Sequence, residues 1–420
     1  MAAERLSVGW VSLILFLSSV SGNRQRAEKL TIVKDPTVGY PWPLPQYFVP
    51  SSNVLSVDAG SFEFVAATVS CDILQAAFSR YRFLTFPSLG SETRWETPDN
   101  TLRFKPHRGP QVGGSVLNSL SVELSENCDG MIYPSMDSDE SYELSINDQG
   151  AKLTAKSIWG ALRGLETFSQ LVWEDDFQVY RVNKSMTRDF PRFSHRGTLI
   201  DTSRHYVSVR KIKEHLDAMA QNKMNVFHWH IVDDQAFPYE SYTYPSLSQK
   251  AAYTPDHVYT QEDVREIIEY ARIRGIRTVP EYDSPGHTES WGLGQSDLLT
   301  TCYSGGQPDG SYGPVDPSVN TTYTFLQNFF KEIADVFPDK YMHMGGDEVS
   351  FQCWQSNPKI TDFMKLKKFG TDYSKLEEYY MQNLLDIISS LQKGYIIWQE
   401  VIDNGVTVSW TTLIPQPVRI

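Results

Sequence analysis

Beyond its first 22 residues the chain has no apolar run approaching the roughly 20 residues that a membrane-spanning helix needs. No transmembrane segment is therefore expected after processing. Basic residues are scarce relative to acidic ones. Lys and Arg number 38 against 51 Asp and Glu, a net charge of −13, which disfavours nucleic acid or an anionic membrane surface as partner. No glycine-rich phosphate loop follows a strand, which argues against a doubly wound nucleotide-binding sheet. A Gly-x-Ser-x-Gly elbow is missing, and with it the usual serine nucleophile. Neither paired cysteine spacing nor a His-x-x-x-His helix is found. His228, His230, Asp233 and His287 keep a metal site open as the alternative. The reading adopted is that strand histidines fill a barrel interior and bond one another, with no metal and no cofactor expected.

What is there begins at the N-terminus. Arg5 precedes the apolar run Val8–Leu17, and small residues follow through Gly22, the order of a secretory signal over residues 1–22. Four cysteines could close two bridges in an oxidising compartment. Three pairings are possible; domain position favours Cys71–Cys128 and Cys302–Cys353, each worth about 4 kcal/mol in the chain-entropy picture. Asn183-Lys184-Ser185 and Asn320-Thr321-Thr322 are N-glycosylation sequons, credible behind a signal segment.

Residues 23–50 are poor in periodicity and rich in proline and read as extended, with an N-terminal arm at 23–40. Residues 41–190 alternate in short strand-like runs, with a hairpin at Tyr142–Ala155 and a helix capped by Ser157, which predicts an α+β domain. From 191 to 404 the pattern changes to strands alternating with amphipathic helices. Strands are expected at Gly197–Asp201, Asn225–His230, Arg277–Tyr282, Tyr341–Met344 and Tyr395–Trp398, with Thr260 and Asp263 boxing the start of one helix. Repeating βα units predict a parallel sheet, with a (β/α)8 TIM-type barrel as the leading choice, five of its strands falling within 191–404. Val406–Trp410 would be a sixth strand, inside a tail at 405–420.

Each predicted strand runs into chemistry-bearing residues: Asp201–His205, Asp233-Asp234, Asp283–His287, Asp347-Glu348 and Trp398–Glu400. Any one could be a helix cap, but five in succession point to one catalytic face. Tyr341–Glu348 is the most informative stretch, since an apolar strand reaches Gly345-Gly346 and stops on two carboxylates. Successive strand residues face opposite ways, so both carboxylates can serve one substrate only if the glycines break the strand. A paired acid and carboxylate, a tryptophan and a hydroxyl-binding Arg suit a glycosidase.

Five motifs then carry a resemblance: Trp159–Leu171, Asp201–Tyr206, Phe227–Asp234, Asp283–Thr288 and His343–Glu348. Across about 41–405 the chain closely resembles the lysosomal beta-N-acetylhexosaminidases of glycoside hydrolase family 20, the Cys302–Gly310 loop looking more like the alpha subunit. The resemblance implies an exo-acting enzyme (class EC 3.2.1.52). It would release terminal N-acetylglucosamine or N-acetylgalactosamine from glycolipids, glycoproteins and glycosaminoglycans in the lysosome, with retention. Glu348 would be general acid and base, and Asp347 would steady the substrate's own acetamido group. His287 and Asp233 would form a relay, Arg204 would grip ring hydroxyls, and Trp398 would wall the pocket against Glu348. It also implies a homo- or heterodimer with a related subunit and a lipid-presenting activator protein as partner. The family's barrel continues beyond the match at 404, so a catalytically incomplete, subunit-pairing chain is the alternative expectation.

Overall fold

The computed structural model describes residues 40–87 and 115–406, and the backbone of 413–416. The expected signal at 1–22 and, Tyr40 apart, the arm at 23–40 lie outside the described residues. From Pro41 onward the chain forms one compact unit, with two large hydrophobic cores and two smaller clusters among the described residues.

The first core lies under a mixed sheet. Its elements are β1 (Tyr47–Val57), β2 (Glu63–Ala66), α1 (Asp72–Thr85), β3 (Val116–Leu117) and β4 (Ser119–Leu124). Then follow β5 (Tyr142–Asn147), β6 (Gly150–Ala155), α2 (Ile158–Leu171), β7 (Val172–Glu174) and β8 (Tyr180–Asp189). The strands order as β2-β4-β6-β5-β8-β1-β3, with β7 also on β8. Along β5, Tyr142, Leu144 and Ile146 are buried while Glu143 and Ser145 are not, the period-2 signature of a sheet with one face covered. The cover is helical. Ser157 caps α2 by accepting from the Trp159 N–H, as expected. At Gly160 a Cβ would lie 2.1 Å from the Ser141 carbonyl, so only glycine lets α2 settle against the strand layer there.

A buried polar seam joins this domain to the next. Glu140 accepts from Arg163 at 2.7 Å, from Asn225 at 2.7 Å, and from Arg196. Arg163 also donates to the Gly275 carbonyl at 2.8 Å. Burial alone would push the Glu140 carboxyl up; the two guanidiniums reverse this and hold it below its ordinary value.

The second domain alternates strands and helices. It runs β9 (Gly197–Asp201), α3 (Val209–Gln221), β10 (Val226–Val232), α4 (Ser246–Ala251), α5 (Gln261–Arg272) and β11 (Arg277–Tyr282). The chain continues through α6 (Glu289–Gly294), the hairpin β12 (Leu299–Ser304)–β13 (Gln307–Val315), and α7 (Asn320–Val336). It proceeds with β14 (Tyr341–His343), α8 (Phe351–Ser356), α9 (Pro358–Lys367) and α10 (Ser374–Ser390). The last elements are β15 (Gly394–Trp398), α11 (Gln399–Asp403) and β16 (Leu413–Gln416). Thr260 and Asp263 form the expected capping box on α5.

Six strands pair in parallel in the order β9-β10-β11-β14-β15-β16. Order in the sheet follows order in the chain. A doubly wound sheet reverses direction at a switch point, whereas a (β/α) barrel adds each strand beside the last; the sequential order is the barrel's. The sixth strand corrects the sequence reading. Leu413–Gln416 pairs with β15, so the sheet extends past the boundary expected at 404; the strand expected at Val406–Trp410 lies, Val406 apart, outside the described residues. Strands β10 and β11 are buried throughout, while β9 is partly exposed, with Leu199 44% accessible.

Candidate active site

Parallel strands put their C-terminal ends on one side of the sheet, and the five expected motifs meet there. Leu199, Arg204, His230, Asp283, His287, Asp347, Glu348 and Trp398 line a cavity of about 220 Å³. Asp233 sits directly behind it, wholly buried.

The loop after β14 is shaped by close approach. Gly345 and Gly346 have φ of +63° and +97°. A Cβ on Gly345 would fall 1.7 Å from Asp283 Oδ1, and Gly346 N–H donates to that same oxygen at 2.8 Å. The two glycines thus break the strand as the sequence requires. Glu348 itself adopts φ +54° and His287 φ +56°, conformations that cost a non-glycine residue energy and that cluster at functional sites.

Asp233 is the electrostatic hub. It accepts from Arg204 Nη2 at 2.8 Å, His230 Nε2 at 2.8 Å, His287 Nδ1 at 3.2 Å and the Asp234 N–H at 2.6 Å. Burial opposes its charge, and these donors overcome the opposition and hold its carboxyl well below the usual range. His287 responds in the other direction. Burial disfavours its cation, but Asp233, Asp283 and Asp347 raise it to about 9. Its Nε2 is buried without a protein partner among the described residues, 3.7 Å from Glu348 Oε2. Arg204 is fixed between Asp233 and Asp201, the latter at 2.7 Å.

The two carboxylates differ. Burial raises the Asp347 carboxyl above its ordinary value, with His287 and a hydrogen bond from Asp283 acting against the shift. Asp283 is raised much further, by its burial and by Glu281 and Asp347 beside it, so Asp283 is the member of the pair that keeps a proton. Asp347 Oδ1 is buried with no hydrogen-bond partner among the described residues. Glu348 is not buried against Trp398, as the sequence reading expected. Its side chain is 74% exposed, and the contact that holds it is its backbone N–H on Glu400 Oε2 at 3.2 Å. Trp398 instead packs on His343, ring centroids 4.5 Å apart.

On the other side of Glu348 and His287 a second cavity of about 560 Å³ opens against the β12–β13 hairpin, Tyr303 and Tyr312 among its lining. The Cys302–Cys353 bridge borders it and ties that hairpin to α8; Cys71–Cys128 is the other bridge. Of the sequon residues, Asn320 is exposed at the start of α7. Asn183 lies within β8, where its Nδ2 donates to the Ser51 carbonyl at 2.9 Å. Among the described residues three groups have metal-ligand spacing: His228/Glu281/His343, Asp233/Asp234/His287 and Asp283/His287/Asp347. In the first two the ligand atoms already bond to partners within the group, His228 to Glu281 at 2.6 Å and His287 to Asp233 at 3.2 Å, which a metal would have to replace.

Sequence reasoning placed Asp283 and Glu400 at strand ends without a role for either, and it missed Glu281. The bond from Glu400 to Glu348 depends on how two loops meet, which no spacing reveals.

A carboxylate pair, an anchored arginine and a tryptophan at the C-terminal ends of barrel strands define a glycoside hydrolase site. The family description "Glycosyl hydrolase family 20, catalytic domain" matches residues 193–416, and "beta-acetyl hexosaminidase like" matches 41–171. The chain belongs to glycosyl hydrolase family 20. It is 52% identical over 380 residues to beta-hexosaminidase subunit alpha of Bos taurus, covering 89% of this chain and 69% of that one. It is 50% identical over 382 residues to subunit beta of Homo sapiens, covering 89% and 66%. Flavobacterium johnsoniae chitobiase superposes with a TM-score of 0.73 at 31% identity, covering 89% of this chain and 54% of that one. The chain thus spans about two thirds of these subunits' length and about half of the chitobiase.

Proposed function

We propose that this chain is an exo-acting beta-N-acetylhexosaminidase. It would remove terminal N-acetylglucosamine or N-acetylgalactosamine from glycoconjugates with retention of configuration. The observation that carries the reading is the buried, unpartnered Asp347 Oδ1 beside Glu348. An acceptor in that position suits the N–H of a substrate acetamido group, whose carbonyl oxygen then attacks the anomeric carbon as internal nucleophile. Asp347, ionised because Asp283 keeps a proton, steadies the cationic ring that forms. Glu348 protonates the leaving oxygen and afterwards activates water, with His287 held behind it by Asp233. Arg204 binds ring hydroxyls and Trp398 walls the sugar. At about 220 Å³ the cavity is smaller than the roughly 300–1,000 Å³ of pockets for drug-sized ligands, in keeping with one ring and so with exo action.

No helix among the described residues is long and apolar enough to cross a membrane. The relatives are subunits by name, which supports pairing with a related subunit. The exposure of Glu348 and Leu199 favours a second reading, in which the chain acts only as such a partner. Passage through the secretory pathway to the lysosome, and presentation of glycolipid by an activator protein, complete the proposal. The test is product analysis on a glycan ending in N-acetylglucosamine. Single sugars released first as the β-anomer are expected. Internal cleavage or α-anomer would overturn the mechanism, and no release would leave the pairing role.

A further inference from the structure

Beneath the cavity lies a polar group that none of the roles above uses. Glu281, near the end of β11, is fully buried. Three imidazoles reach its carboxylate: His228 Nε2 at 2.6 Å, His230 Nδ1 at 2.8 Å and His343 Nδ1 at 3.1 Å. The register explains the convergence. His230 on β10 and His343 on β14 are both the parallel-ladder partners of Glu281, so three neighbouring strands deliver these side chains at one level. A buried carboxylate survives only when paired and hydrogen-bonded. Burial would push Glu281 up, and the imidazoles of His228 and His230 on its Oε2 hold it far below its ordinary value.

His230 is the informative member. Its two ring nitrogens face different carboxylates, Nδ1 on Glu281 and Nε2 on Asp233, each at 2.8 Å. A neutral imidazole donates from one nitrogen only. Either His230 is an imidazolium, or one of the two carboxylates holds a proton. Besides His230, Asp233 has three donors, and Glu281 has His228 Nε2 at 2.6 Å on the same oxygen. Both are therefore ionised and the proton is on His230. The remaining charged neighbours of His230 are Arg204, 3.3 Å from Nε2, and Asp283. Burial disfavours the cation, but Glu281 and Asp233 overcome it and raise His230 to about 11. Burial keeps His343 at about 4, and its Nδ1 accepts from the Gly345 N–H at 3.1 Å, so that ring stays neutral beside Glu281 Oε1.

We propose that Glu281 and His230 form a buried carboxylate–imidazolium pair that fixes Asp233 and, through it, the Nδ1–H bond and aim of His287 behind Glu348. Both are positioning residues, and their effect on turnover rests on the hexosaminidase reading above. The pair makes Asp233 the end of a charge-alternating chain, Glu281–His230–Asp233–His287, that runs from the barrel interior to the reacting edge. Because each link accepts or donates in a set direction, His287 must present a protonated Nδ1 to Asp233, which leaves Nε2 facing Glu348.

The test uses the full chain labelled with ¹⁵N-histidine. The His230 signals are assigned by their loss in His230→Gln, which still offers an amide donor to Asp233 but cannot reach Glu281. In the wild type both His230 ring nitrogens stay protonated across about pH 5 to 8, where an ordinary histidine titrates. In Glu281→Gln, His230 loses a proton within that range. For turnover, each single variant lowers kcat about 10–100-fold, the size of effect known for residues that support metal-bound histidines, with KM within twofold. Glu281→Gln/His230→Gln is then no worse than the weaker single, since the pair acts as a unit. A neutral His230 in the wild type would overturn the pair, as would single effects that multiply in the double variant. The spectrum is read on free protein, so it decides the pair even if the chain turns nothing over. Wild-type product release alone decides the hexosaminidase reading. If Glu281→Gln fails to fold, the wild-type spectrum and His230→Gln kinetics still decide.

Discussion

Glu281 lies on β11 and Glu348 follows β14, its neighbour in one sheet, yet their surroundings are opposite. Glu281 has no exposure and three imidazoles on it. Glu348 has a side chain that is 74% exposed, in a left-handed backbone conformation, tied by its N–H to Glu400. The difference separates two tasks. The β10–β11 interior fixes charges in a dry, packed layer where each partner is set by strand register. The loop after β14 carries the groups proposed to meet substrate; it gives up packing for access and takes its shape from glycine and a few polar contacts.

Breaking the exposed side should cost the most turnover and the least stability. Glu348→Gln keeps the shape of the side chain and deletes its proton, so kcat should fall about 10²–10⁴-fold with substrate binding little changed. Steady-state kinetics with a binding measurement on the variant checks this; activity within twofold of wild type would move the acid role elsewhere.

The hinge between the two regions should respond in stability. Gly345→Ala places a Cβ on Asp283 at a positive φ, and a loss above about 2 kcal/mol is expected from the clash and the strain together. Chemical denaturation at constant m-value reads it. An unchanged midpoint would mean the loop relaxes freely and does not lean on β11.

Stability should also depend on pH through Glu377, buried on α10 and bonded to Asn404. Burial, with Glu400 adding to it, raises Glu377 to about 7 from 4.5. A carboxyl raised by folding contributes stability fully present below its unfolded value and lost as pH rises through the folded one. The chain should therefore be most stable near pH 4.5 as far as this group decides, losing at most about 3 kcal/mol by pH 7 and a little above. Glu377→Gln should flatten that decline in melting temperature; a slope unchanged by the substitution would remove Glu377 from the account.

The smallest change is expected at the link between the regions. Asp233→Asn leaves a hydrogen-bonding partner for His287 but removes its charge, so His287 should fall from about 9 toward its ordinary value. Turnover should drop about tenfold or more. A histidine resonance at 287 that titrates as before would show that Asp283 and Asp347 alone set its charge.

How far the sequence reaches follows the same division. Local signals read well, because their cause is local. The Thr260–Asp263 box, the Tyr142–Ala155 hairpin and the Ser157 cap all depend on residues a few positions apart. The strand-end motifs were legible as a group, since a barrel places every strand end on one face regardless of detail. The β12–β13 hairpin was not. Gln307–Val315 is exposed over most of its length and carries glycine and proline, so it shows no alternation. Leu413–Gln416 was not expected as a strand, and it pairs with β15; two prolines flank or interrupt the stretch, Pro415 and Pro417, so its β propensity is low and pairing with its neighbour decides. The expected burial of Glu348 failed for a related reason, because the exposure of a loop residue depends on what neighbouring loops cover.

The central claim is that the substrate's acetamido group takes part in the reaction, steadied by Asp347. Its most direct test compares turnover of an aryl β-N-acetylglucosaminide with that of the matching aryl β-glucoside, identical but for the 2-substituent. The account predicts hydrolysis of the first and none measurable of the second. Equal rates on both would contradict acetamido participation and the role given to Asp347 with it.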